Sequence, residues 1–274
     1  MIELPEALTL ASEMTETLVG KTVEAVLPPT KPHKFCWSAG DPEEEGPKLA
    51  GAKVSGAKGF GIYAELQFDN GLRYALNDGV NLRLVKRENA PKDYQRLIVF
   101  SDGDALALSV QMYGGIILHD GTYDNEYYLK SLNSFSPFDE GFERHFFDVL
   151  AGCKGNLSMK AVIATEQRFP GVGNGTAQDI LFNARLHPKR KLSTLSDADK
   201  RALLDAMVEA LSQMRDQGGR DTEKDLFGAP GGYRTLMSKN ALERGCPACG
   251  APIKKEAYLG GAVYYCPHCQ PIQA

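Results

Sequence analysis

The 274-residue chain contains no apolar run near the length needed to cross a bilayer, so a helical membrane protein is excluded. Its start, Met-Ile-Glu-Leu-Pro-Glu, lacks the basic residues and apolar stretch of a secretory signal. Cysteine is scarce before residue 246: only Cys36 and Cys153 occur there, isolated from one another. A disulfide framework is therefore not expected, and both read as reduced core thiols of a cytoplasmic, nucleoid-associated protein. A surplus of positive charge is missing too: 31 Lys and Arg stand against 35 Asp and Glu, for a net charge of −4. Internal repeats are absent. The one tryptophan, Trp37, reads as core or loop packing, and His119 and His145 as surface or satisfied core histidines.

What is present is concentrated at the C-terminus. Cys246-Pro-Ala-Cys249 and Cys266-Pro-His-Cys269 are two paired knuckles sixteen residues apart. A hairpin of that length brings four thiolates around one Zn2+ tetrahedrally, leaving no position for water, so the ion is expected to be structural. Two disulfides or four free thiols is the competing reading.

The charge is also unevenly placed. Residues 151–191 carry seven basic residues against Glu166 and Asp179, and residues 232–274 carry five against Glu243 and Glu256. An acidic body with a basic C-terminal half suits a protein that meets DNA with one surface; scattered surface charge is the alternative.

Apolar periodicity divides the chain. An amphipathic helix is predicted over 6–19, ending at Gly20. Period-two or short apolar runs follow at 22–27, 53–55, 61–68, 72–76, 81–85, 97–100, 105–112 and 116–119. Turn signals at Asp69-Asn70-Gly71 and Asp102-Gly103 punctuate them. Beyond residue 120 the period becomes helical, with helices predicted over 125–131, 140–151, 159–164, 175–184 and 197–215. The expected fold is α+β and two-domain. An N-terminal β-sandwich with one helix (1–133) precedes a helical domain (134–231) that carries a zinc-finger hairpin (232–274). The glycine-rich stretch 218–232 reads as a flexible connection into the finger.

Chemistry concentrates around Gly171-Val172-Gly173-Asn174-Gly175. The glycines allow close backbone approach, and the helix start at Gly175 offers free amides to an anion. Asn174 adds a side-chain donor. With Lys160 upstream and His187-Pro188-Lys189-Arg190-Lys191 downstream, a DNA phosphate is the expected anion. A tight interhelical turn is the plainer reading.

Three motifs in order now support a resemblance over nearly the whole chain. Ile2-Glu3-Leu4-Pro5-Glu6 resembles the N-terminal P-E-L-P-E of the formamidopyrimidine-DNA glycosylase and endonuclease VIII family. The run from Lys160 to Pro188 resembles that family's helix–two-turn–helix signature. Gln167, Gly171, Gly173, Asn174, Ala177, Leu181, Phe182, Ala184, His187 and Pro188 fall in register. The four-cysteine finger with Tyr265 and Gln270 is the third motif. The resemblance implies a sandwich and a helical domain with DNA between them, and excision of an oxidised base from a flipped nucleotide, followed by strand cleavage. It also implies that an N-terminal amine attacks C1′ to give a Schiff base, and that the following glutamate moves protons at the sugar. By position this assigns catalysis to Ile2, Glu3 and Glu6. Damaged duplex DNA is the implied partner, one Zn2+ the cofactor, and a monomer the working form.

Several positions depart from the family pattern. Ile2 stands where the family usually has proline. Its branched side chain should hinder removal of Met1, and the amine would then lie one residue earlier. Phe60 falls where a hairpin lysine belongs, with Lys58 two residues away as a substitute or a plain surface lysine. Gly261 falls at the finger's arginine. Ser109-Val110-Gln111-Met112-Tyr113-Gly114 replaces an arginine-bearing loop; there Tyr113 keeps an aromatic wedge and Gln111 or Met112 takes the arginine's place, unless the segment is a buried strand. A glycosylase with altered lesion range and weak or absent lyase activity is the leading expectation. A non-catalytic damaged-DNA-binding protein and an RNA- or protein-binding zinc module are the alternatives.

Overall fold

In the computed structural model, which describes residues 1–272, the change of period near residue 120 is a change of architecture. Helix α1 (Leu4–Leu18) opens the chain, with Pro5 in its first turn. Strand β1 (Val23–Leu27), the two-residue β2 (Cys36–Trp37) and helix α2 (Glu45–Leu49) follow. Then come β3 (Val54–Phe60), β4 (Tyr63–Phe68), β5 (Arg73–Asn77), β6 (Val80–Lys86), β7 (Arg96–Phe100), β8 (Asp104–Val110) and β9 (Gly114–His119). They form two sheets, ordered β1-β7-β8-β6 and β2-β9-β5-β4-β3. Leu66, Leu76 and Ile116 of one sheet meet Ile98, Leu106 and Leu108 of the other, with Met14 and Leu18 of α1 in the same core. Alternation along the strands supplies these apolar faces, so the expected sandwich is present.

The helical part comprises α3 (Glu126–Asn133), α4 (Phe142–Gly152), α5 (Met159–Ala164), α6 (Asn174–Asn183) and α7 (Asp197–Asp216). Its core gathers Phe146, Met159, Ile163, Ile180, Leu203, Met207 and Leu211. Ser158 caps α5 and Ser196 caps α7, the latter in a reciprocal box with Asp199. The hairpin β10 (Lys254–Tyr258) and β11 (Gly261–Tyr265) closes the chain, over a third small cluster of Met237, Ile253, Tyr264 and Cys266.

The glycine-rich connection after α7 is not the loose tether its composition suggested. Leu226 is fully buried in the sandwich core. Its N–H donates to the Glu13 carboxylate at 2.9 Å, and its carbonyl accepts from the Leu84 N–H at 2.9 Å. At its other end Tyr233 joins the helical core, and its N–H donates to the Gly219 carbonyl at 2.9 Å. The glycines give this segment its turns while its few large side chains anchor it in both cores.

Candidate active site and nucleic-acid interface

The free amides at the start of α6 have an anion, and it belongs to the protein. Glu3 reaches across from the N-terminus, and its carboxylate accepts from the N–H groups of Gly173 (3.1 Å), Gly175 (2.9 Å) and Thr176 (2.8 Å). A side chain at Gly173 would lie 2.6 Å from the Glu3 carboxyl carbon, and one at Gly175 would overlap the Arg220 guanidinium at 1.5 Å. The glycines of the motif therefore admit Glu3 and Arg220, where the sequence suggested a phosphate. An intramolecular carboxylate satisfies the same helix-terminal amides without any ligand.

Arg220 completes the arrangement. Its Nη1 lies 3.3 Å from Glu3, and it forks onto Glu6 through Nε at 2.9 Å and Nη2 at 2.7 Å. All three side chains are buried. Burial pushes the Glu3 carboxyl up, but the Arg220 charge and the hydrogen bonds of Thr176 and Gly175 outweigh it and hold the group below the ordinary carboxylate range. Glu6 also accepts from the Glu3 N–H at 3.2 Å, as part of the helix cap. Its carboxylate is thus tied to Arg220 and to the turn of α1.

The residues around the N-terminus converge from four segments. The Ile2 N–H donates to the Asp78 carbonyl at 2.6 Å, and the Ile2 side chain is buried in the sandwich core. The Met1 ammonium pairs with Glu223. The Met1 sulfur lies 3.7 Å from the Tyr113 hydroxyl. Met1, Ile2, Glu6, Arg83, Gln111 and Glu223 are among the residues lining an open cleft of about 190 Å³. Burial raises the Asp78 carboxyl against the pull of the N-terminal ammonium, and Glu3 adds to the rise. Two carboxylates near one amine are thus driven in opposite directions.

Strand β8 ends at Val110, leaving Gln111 and Met112 exposed and Tyr113 half-buried in a loop, so this segment is not a buried strand. Lys58 is exposed on β3, with Nζ 5.5 Å from the centre of the Phe60 ring, and does not line the N-terminal cleft. Phe60 is buried against Tyr63 and Tyr128.

Lys160 and Asn174 both turn toward the finger. The Lys160 ammonium donates to the Tyr258 carbonyl at 2.5 Å, and the Asn174 amide donates to the Ala262 carbonyl at 3.0 Å. Burial lowers the Lys160 amine from its usual value. Gly261 lies alongside: a side chain there would stand 3.4 Å from the Asn174 amide. The helical part and the finger share a further buried anchor in Asp179, whose carboxylate accepts from the N–H groups of Leu236 (2.8 Å) and Met237 (2.7 Å).

The ligand atoms of Cys246, Cys249, Cys266 and Cys269 all lie within 4.8 Å of one another. The Cys246–Cys269 and Cys249–Cys266 sulfurs are 3.7 and 3.5 Å apart, far beyond a disulfide bond. Sulfurs about 2.3 Å from a tetrahedral metal lie roughly 3.8 Å from each other, so the cluster fits a single ion.

Sequence reasoning missed Arg220, Asp78 and Glu223. An arginine after Gly218-Gly219 in an otherwise polar loop was the one available hint, because a long buried cation needs carboxylate partners.

No family model matches the chain. The formamidopyrimidine-DNA glycosylase of Mycobacterium leprae is 26% identical over 280 residues, covering 99% of each chain. That of Methylococcus capsulatus is 28% identical over 276 residues, covering 98% of this chain and all of the relative. Among solved structures, the Lactococcus lactis Fpg in complex with DNA containing an abasic site superposes with a TM-score of 0.81 at 23% identity, over 98% of this chain and 99% of that one.

Proposed function

Because the chain belongs to the formamidopyrimidine-DNA glycosylase and endonuclease VIII family, we propose that it is a base-excision DNA glycosylase that removes a damaged base from duplex DNA and then cleaves the abasic strand. The observation that carries this reading is the N-terminus itself: Met1, Ile2 and Glu6 line one cleft with Gln111 and Glu223, while the adjoining Glu3 carboxylate is locked onto the amides that open the second helix of the helix–two-turn–helix. DNA enters between the two halves, and the damaged nucleotide is extruded toward the N-terminus. Unstacking costs a few kcal/mol, offset by side chains filling the vacated space. In this reading Tyr113, Met112 and Gln111 fill it.

The N-terminal amine is the nucleophile. In the full chain it is Met1's, paired with Glu223 at the cleft; removal of Met1 would pass the role to Ile2. The neutral amine attacks C1′, the C1′–N bond to the base breaks, and the base leaves with a proton. The C1′–O4′ bond of the sugar then opens, O4′ taking the proton that the amine gives up, and leaves an imine; this loses a C2′ proton, and the 3′ phosphate departs. Glu3 is held too firmly ionised to donate a proton. Its fixed negative charge beside the N-terminus favours the positive charge that develops at C1′. Asp78, raised by burial, is the group suited to carry protons between amine and sugar. Glu6 holds Arg220, and Lys58 keeps to the outer face of the hairpin. Lys160 and Asn174 serve DNA binding by fixing the finger against the turn before α6. The four cysteines hold one structural Zn2+, which supplies no chemistry to the reaction.

The test is a duplex carrying one oxidised base, incubated with protein of known zinc content. Release of the free base, abolished in Glu3→Gln and slowed in Asp78→Asn, is expected. Tight binding without base release would leave a damage-binding protein and end the catalytic reading.

A further inference from the structure

Trp37 is half exposed, at 51%, and lies against the wedge loop. Its ring centre is 6.1 Å from that of Tyr113. Strand β2 holds it there: Cys36 and Trp37 pair in parallel with Gly114 and Gly115, and the Phe35 carbonyl accepts from the Gly114 N–H at 3.0 Å. Phe35 (49%) and Met112 (67%) are exposed on neighbouring segments. A lone exposed aromatic is unremarkable, but here two exposed aromatics stand two residues apart on the segment that pairs with the end of the loop carrying exposed Met112. The packing that sequence suggested for Trp37 is thus only partial: the ring is tilted at 50° to that of Tyr113 and about half of the residue meets solvent.

Cations are interleaved with these rings, in the order Lys31-Pro32-His33-Lys34-Phe35-Cys36-Trp37. The Lys34 ammonium lies 5.4 Å from the centre of the Phe35 ring. Aromatic rings that stack on bases beside cations that meet the backbone are the recurring chemistry of single-stranded nucleic-acid binding. The patch adjoins the wedge: the Tyr113 hydroxyl lies 3.7 Å from the Met1 sulfur, and its ring centre 6.1 Å from that of Trp37.

We propose that Trp37 and Phe35 form a stacking platform for an unpaired nucleobase next to the extruded nucleotide, so that the protein binds lesions in locally melted DNA more tightly than lesions in fully paired duplex. The proposal rests on the glycosylase reading, since the wedge defines where the unpaired base lies. Apolar area and positive charge together favour a nucleobase over a protein partner. The platform is sequence-tolerant, because every base offers a stacking face.

Trp37 is the only tryptophan of the chain, so intrinsic tryptophan emission reports this residue alone. The zinc-loaded full chain is titrated with a labelled duplex holding an abasic-site analogue, and with the same duplex mismatched at the flanking pairs. Anisotropy of the label measures binding independently. Expected are quenching of Trp37 emission by the mismatched duplex and tighter binding of it. Trp37→Ala should lose roughly tenfold of that affinity, the low end of measured base-stacking effects, while Trp37→Phe keeps most of it. Both variants should keep the parent's thermal melting transition and its zinc content, which shows that they fold. Binding of both duplexes with unaltered emission, or equal affinities in Trp37→Ala and the parent, would overturn the platform and leave the glycosylase reading standing. Absence of binding to either duplex removes both.

Discussion

Arg220 and Glu6, 214 residues apart in sequence, form a two-pronged ion pair at 2.7 and 2.9 Å inside the protein. Arg220 arrives from the connection after α7, and Glu6 from the first turn of α1. The pair, with Glu3 beside it, fastens the N-terminal segment to the helical half. Removing one partner of such a pair leaves a buried charge without compensation. Arg220→Leu should therefore lower stability by about 3–5 kcal/mol. Arg220→Lys should recover only part of that, since an ammonium cannot fork onto one carboxylate while reaching the other. Chemical denaturation of the three proteins measures both.

Glu3→Gln replaces one acceptor oxygen with a donor, which faces either the Gly175 amide or those of Gly173 and Thr176. A loss of about 1–3 kcal/mol is expected from amides left unsatisfied. The pH dependence has a defined sign. The native carboxyl lies below its ordinary value of about 4.5, so its contribution is present above that pH and is lost as pH falls through the lowered native value. Acid titration of unfolding free energy should show a shallower fall below pH 4.5 in Glu3→Gln than in the parent.

Asp179 behaves oppositely. Burial raises its carboxyl to about 6, against hydrogen bonds from Leu236 and Met237 that pull it down. The native state then holds its proton more tightly than the unfolded chain does. Its contribution to stability declines as pH rises from about 4 to 6 and is constant above. Asp179→Asn should remove that slope. The gap between variant and parent is expected to move in the variant's favour across this window by on the order of 2–3 kcal/mol. Thermal melts from pH 4 to 7 test it.

The third core, around Met237, Ile253 and Tyr264, is too small to order the finger by apolar burial alone. Chelation, or Cys249→Ser, should release the metal and unfold the hairpin. Lys160 and Asn174 would then lose their carbonyl partners on β10 and β11. DNA binding should fall sharply while the sandwich keeps its melting transition. Metal analysis of the intact protein should give about one zinc per chain.

Much of the architecture was legible because it rests on local periodicity. The strands at 97–100 and 116–119 and the helices at 159–164 and 197–215 lie where their apolar spacing put them. The four cysteines were legible because metal ligation imposes a spacing. Strand β2 was not, since two residues carry no period. Strand β3 runs on to Phe60 past Gly56 and Gly59, which interrupt its apolar pattern. The deeper misreading concerned the glycines. Composition made 218–232 look loose and the turn before α6 look ready for phosphate. In fact the first carries Arg220 and Leu226 into buried sites, and the glycines before α6 make room for Glu3 and Arg220, whose partners lie some 170 to 214 residues away. Such long-range charge pairing leaves no local trace in the sequence.

The most direct test of the N-terminal amine as nucleophile is borohydride reduction of the protein on abasic-site duplex, followed by mass mapping of the adduct alongside intact mass of the free protein. The expected result is a covalent adduct at the first residue of the mature chain, Met1 or, if Met1 has been removed, Ile2. An adduct at Lys58 or another lysine, or excision of a damaged base with no adduct at all, would contradict it.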